Sequence, residues 1–139
     1  MSEPATQELQ GAALIMFNDP SIQLEHAGEA LGSHSLTVEP SGEFLITRWD
    51  DGPRLYIALR RGPQVQEITR LIGEGSPYAE ALGNSDSWFE IGFENLEEVL
   101  DELNTLTEAQ LTLLELTGGI CFNTWNETFL TPDGAPNLE

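Results

Sequence analysis

Apolar positions change their spacing several times along the chain, and each change marks an element. Residues 11–18, GAALIMFN, are one continuous apolar run closed by Asn18, Asp19 and Pro20, the pattern of a buried strand that ends in a turn. Asp19 or Ser21 can cap a helix starting near Pro20, with Ile22, His26, Ala27, Ala30 and Leu31 as its apolar stripe and Gly32 as its stop. Three strand segments follow at residues 34–39, 43–49 and 53–61. Pro40-Ser41-Gly42 and Asp50-Asp51-Gly52 separate them, so the spacing predicts a three-stranded antiparallel meander. Within it Leu36, Val38, Phe44, Ile46, Leu55, Ile57 and Leu59 are expected on a core face, and Thr37, Thr47, Arg54, Tyr56, Ala58 and Arg60 on a wetter one.

Gly62-Pro63 breaks the third strand and opens a helix over residues 63–72, with Val65, Ile68, Leu71 and Ile72 on one side and Gly73 after it. A short helical turn is expected at 77–82. Residues 87–93, SWFEIGF, alternate as a strand. A helix over 95–104 and a second one opened by a Thr107/Gln110 capping box and closed by Gly118-Gly119 come next. One or two short strands around Asn126 complete the chain. Strands grouped together and helices grouped apart define an α+β fold, a mostly antiparallel sheet with helices packed on one face. A ferredoxin-like arrangement with added elements is one topology that fits. Residues 11–131 read as a single domain, with flexible tails at 1–10 and 132–139 that lack apolar periodicity.

Charge changes this picture more than any motif does. The 139 residues carry 24 acids against five bases, a formal net charge of −19, and all five bases are Arg: Arg48, Arg54, Arg60, Arg61 and Arg70. From residue 71 to 139 there are fourteen acids and no base. Such a surface repels nucleic-acid phosphates and anionic lipid, so neither nucleic acid nor membrane is an expected partner. No stretch reaches the ~20 apolar residues of a membrane span, and no basic-then-apolar leader opens the chain. A single Cys121 permits no internal disulfide. The expected location is cytoplasmic, and no cofactor is implied.

The densest acidity is FENLEEVLDELN, residues 93–104. Its apolar positions Leu96, Val99, Leu100 and Leu103 share one side of a helix, and Glu97, Glu98, Asp101 and Glu102 share the other. Glu97 and Glu98 suit the positive end of a helix whose cap is Asn95. Asp101 and Glu102 have no such reason, because like charges four residues apart cost about 0.2–0.5 kcal/mol each and the dipole opposes them. These four acids are therefore the candidate partner-binding face. Arg48, Arg54 and Arg60 can share the outer sheet face, paired with acids such as Glu43 and Asp51. They form the candidate anion-binding set.

Catalytic patterns are absent. His26 and His34 have no second His at ligand spacing, and Cys121 sits in an apolar segment that predicts a buried, inert thiol. GEGSPY lacks the Lys and the spacing of a phosphate loop, and no metal-binding loop is present. Trp49, Trp88 and Trp125 are expected at strand edges as core or core rim. The reading that follows is a non-enzymatic, acidic protein-binding module, in the manner of an inhibitor or immunity-type protein engaging a basic partner surface. A small enzyme or ligand-binding domain with an Arg-lined anion pocket is the alternative. A structural homodimer is the third.

Overall fold

A computed structural model describes residues 11–34, 36–48, 54–93, 96–101, 103–124 and 127–130. Seven strands form one antiparallel sheet: β1 (Gly11–Phe17), β2 (Thr37–Ser41), β3 (Phe44–Arg48), β4 (Leu55–Arg61), β5 (Ser87–Phe93), β6 (Ile120–Asn123) and β7 (Thr128–Leu130), in the spatial order β2-β3-β4-β5-β1-β6-β7. The helices are α1 (Leu24–Ser33), α2 (Pro63–Gly73), α3 (Ala79–Gly83), α4 (Leu96–Asp101) and α5 (Leu103–Thr117). The fold is α+β, as the pattern of elements predicts.

The continuous apolar run became the strand that needs the most cover. β1 pairs with β5 on one side and β6 on the other, and residues 13–17 are all buried. Ala13, Ile15 and Phe17 enter the larger core beneath α1 and α5, together with Leu31, Ile57, Phe89, Ile91 and Leu113. Leu14 and Met16 point the other way, into a second core with Val65 of α2, Leu82 of α3 and Trp88. Helices therefore lie on both faces. The single helical face expected from the sequence describes the crossover helices α1 and α5, while α2 and α3 cover the back of the sheet.

Because β5 runs antiparallel to both β4 and β1, β4 and β1 are parallel with β5 between them; by the same logic β5 and β6 are parallel with β1 between them. The connection from β1 to β4 carries α1, and that from β5 to β6 carries α4 and α5. These two interlocked split β-α-β units give the strand order of a ferredoxin-like sheet. The β2-β3 hairpin extends one edge, and β7 extends the other.

Several boundaries moved for local reasons. β2 runs through Pro40, which pairs with Leu45, and the turn shifts to Gly42 and Glu43 with Gly42 at φ 66°. An edge strand tolerates this proline because its missing N–H can face solvent. Asp19 does not cap α1. Its carboxylate accepts from the Ser21 N–H and hydroxyl, 3.0 and 2.7 Å away, which closes the turn and holds it below its ordinary pKa. The helix starts one turn later at Leu24, where the Gln23 N–H donates to His26 Nδ1 at 2.8 Å. The Thr107/Gln110 capping box is also overturned: α5 already starts at Leu103, and Gln110 is buried with its side-chain amide on Asn123 Oδ1. Trp49, Asp51, Asn95 and Trp125 lie outside the described residues, so their expected roles do too.

Two substitutions test this packing. A Cβ on Gly119 would collide with the Met16 carbonyl oxygen, so Gly119→Ala must force β6 away from β1. Its expected cost is about 3 kcal/mol, at the upper end of overpacking penalties, read as a lowered urea midpoint. Thr112 on α5 is buried with a hydroxyl that finds no partner among the described residues. Thr112→Val removes that desolvated group while keeping the branched shape, and is expected to raise stability by about 1 kcal/mol in the same measurement.

Candidate functional site

The predicted acidic face falls on α4 and its junction with α5. Glu97 and Asp101 are exposed, and the buried Val99 between them anchors the helix to the larger core. Glu98 belongs to the same helix, and Glu102 lies outside the described residues. Among the described residues neither Glu97 nor Asp101 enters an ion pair; the acids that do are Glu67, Glu90, Glu108 and Glu115.

The five arginines separate into three situations. Arg61 at the end of β4 is structural: its guanidinium donates to the carbonyls of Asp19 and Ile22 and to Ser87 Oγ, tying the β1–α1 turn to the sheet. Arg60 and Arg70 face carboxylates, Glu90 at 3.8 Å and Glu67 at 3.7 Å. Arg48 and Arg54 have no such partner among the described residues. They line one concavity of about 390 Å³ with Thr37, Val38, Glu39 and Ile46.

The sheet explains which arginines come together. Arg48 pairs across the ladder with Thr37, and Ile46 pairs with Glu39, so these four residues share the back face at the β2-β3 edge. Arg54 immediately precedes β4, the next strand. Arg60 is on the same face but lies toward the far end of β4, opposite Trp88 and diagonal to Glu90. The anion-binding set of three is therefore divided: Arg48 and Arg54 line one concavity, and Arg60 is held at Glu90. Thr37, Glu39 and Ile46 were missed as site residues because their relation to Arg48 depends on register, and shifting the hairpin turn by two residues redefines it.

Other candidate chemistry is accounted for structurally. His34 Nδ1 lies 2.9 Å from Glu108 and links the end of α1 to α5. Cys121 is buried beneath α5, within 3.4 Å of the Gln110 amide. Burial pushes its thiol from the ordinary 9.0 up to about 12, with the Gln110 hydrogen bond opposing that shift. No group of three or more metal-ligating side chains occurs among the described residues, and no helix among them is long and apolar enough to cross a membrane. Comparison with models of known protein families, with curated proteins and with solved structures finds no match for the chain.

The thiol supplies a direct check. Its folded pKa is raised, so its contribution to stability is intact below the ordinary value of 9.0 and is lost as pH climbs toward about 12. Native protein at pH 8 is expected to leave a thiol reagent unconsumed until denaturant is added, and Cys121→Ala should flatten part of the alkaline loss of stability. Rapid labelling of the native thiol would contradict its placement in the core.

Proposed function

We propose that this chain is a non-enzymatic binding module whose acidic helical side engages a basic protein surface, as an inhibitor or immunity-type protein does. The observation that carries the reading is the placement of Glu97 and Asp101. Both are exposed, they stand four residues apart on α4, and neither has a cation beside it among the described residues. Like charges at that spacing disfavour the free helix slightly, and a basic partner would relieve the repulsion. The rest of the chain adds to the same field: at −19 it attracts cationic surfaces over roughly a Debye length, ~8 Å at physiological salt, and orients them before contact.

The cations do little to weaken that field at close range. Arg61 serves main-chain carbonyls of the β1–α1 turn, and Arg60 and Arg70 already face acids. A structural homodimer would have to bring together two bodies of −19 each, with the exposed Ile68 and Leu71 of α2 as apolar material for the contact. Self-repulsion works against it.

The test is quantitative binding with a partner captured from the native lysate. Association is expected to slow about tenfold between low and high salt, with a smaller change in dissociation rate. Glu97→Gln with Asp101→Asn should weaken binding about three- to tenfold while leaving the fold as stable or slightly more stable. Salt-independent association, or a partner that ignores these substitutions and responds to Arg48, would sink the proposal.

A further inference from the structure

We infer that the concavity at the β2-β3 edge is a binding site for the oxyanion head, carboxylate or phosphoryl, of a small organic molecule, with Arg48 and Arg54 as its ligands. The inference concerns the opposite kind of charge from the acidic helix and does not rest on that reading.

Acids outnumber bases 24 to five, so a surface arginine in this chain has carboxylates in abundance, and Arg60 and Arg70 each face one. Arg48 and Arg54 instead stand on the wall of the same concavity with no ion pair among the described residues. Two guanidiniums on the wall of one concavity, neither in an ion pair among the described residues, repel each other, and a bound oxyanion reverses the sign of that interaction. Each guanidinium can present a fork of N–H donors, which matches the paired oxygens of a carboxylate or phosphoryl group better than an ammonium does.

The remaining lining gives the site polarity. Ile46, paired with Glu39 across the ladder, offers an apolar surface for the body of the ligand. The Glu39 carboxylate lines the same wall and repels an anion, so it favours placement of the oxyanion at the arginine end and of a neutral or donor group at its own. The volume of about 390 Å³ is that of a small-molecule site. Beneath it the frame is fixed: Thr37 Oγ1 donates to the Arg48 carbonyl at 3.0 Å, and Thr47 Oγ1 donates to the Thr37 carbonyl. The main chain carrying Arg48 is thus held before any ligand arrives, which lowers the ordering cost of binding.

The long-range field opposes anions, so recognition here must come from short-range contacts. That makes the prediction sharp in sign. Titration of the full chain with inorganic phosphate and, separately, with succinate, followed by amide chemical shifts, is expected to show saturable binding of at least one probe. Preference for phosphate marks a phosphoryl ligand, and preference for succinate marks a carboxylate. Arg48→Gln and Arg54→Gln should each weaken binding by about tenfold, the scale of one hydrogen-bonded charge. Glu39→Gln should tighten it, an effect that misfolding cannot imitate. Arg70→Gln should change nothing, and Glu97→Gln with Asp101→Asn should leave anion binding intact, separating this site from the acidic helix. No saturable response to either probe at about 20 mM, or binding that survives loss of both arginines, would overturn the assignment.

Discussion

A strand without a polar side chain has to be enclosed on four sides, and that requirement on β1 organises the molecule. Its two edges are satisfied by β5 and β6, and its two faces need separate apolar layers because successive side chains point opposite ways. Burying a side chain the size of Leu, Ile, Phe or Met is worth about 1.5–3 kcal/mol, so leaving either face of Leu14–Phe17 in water would forfeit much of a small domain's stability. α1 and α5 close one face, and the α2-α3 pair closes the other. The tight contact of Gly119 with the Met16 carbonyl lets β6 return along β1 directly after α5. Thr69 serves the second layer: its hydroxyl meets the Leu82 and Ser85 carbonyls at 2.9 and 2.8 Å, fixing α3 against α2.

Covering the centre leaves the flank open. The contacts of the second core extend over β1, β5, β6 and β7, whereas β2 and β3 lie beyond them at the opposite edge of the sheet. Phe44 is accordingly exposed, sheltered on one side by an edge-on contact with Tyr56 at 6.0 Å. Arg48 and Arg54 occupy this same flank. The arginines without an ion pair among the described residues therefore stand where the sheet outruns its helices, while the exposed acids of α4 belong to a helix that Val99 anchors in the larger core. Separation of the two charge types follows from the topology, and it permits opposite ligands at separate places on one small body.

Much of the scaffold was legible because periodicity and burial are the same information. The run 11–18 needed only its lack of polar positions to be recognised as central, and SWFEIGF showed its alternation directly, although both of its faces are largely buried. What was not legible depended on residues distant in sequence. Gln110 reads locally as half of a capping box, but Asn123 and Cys121 take up its amide once β6 folds beneath α5. Asp19 reads as a helix cap, but the neighbouring Ser21 captures its carboxylate first. Nothing within either segment distinguishes the two outcomes. The split of helices between faces was hidden for a related reason: α2 has an amphipathic pattern that identifies a buried side without saying which face of the sheet lies beneath it.

The arginines show how position along a paired strand becomes a difference in chemistry. Arg54 precedes β4 and Arg60 is its last residue but one, and both follow the same alternation, so sequence treats them as equivalent. Pairing does not: Ala58 stands opposite Glu90, which puts Arg60 within diagonal reach of that carboxylate, while Trp88 donates to the same group from the next position on β5. At the other end of β4 the neighbours are β3 and β2, whose back face carries Thr37, Ile46 and Arg48. One guanidinium is set facing a carboxylate by its register, and the other lines the concavity that Arg48 also lines. Slipping β3 by a single residue against β4 would turn Arg48 to the opposite face and part it from Arg54. The candidate site is thus a property of the β3-β4 pairing, which puts Arg48 and Arg54 on one face, and the β2-β3 hairpin decides that Thr37 and Glu39 stand beside them.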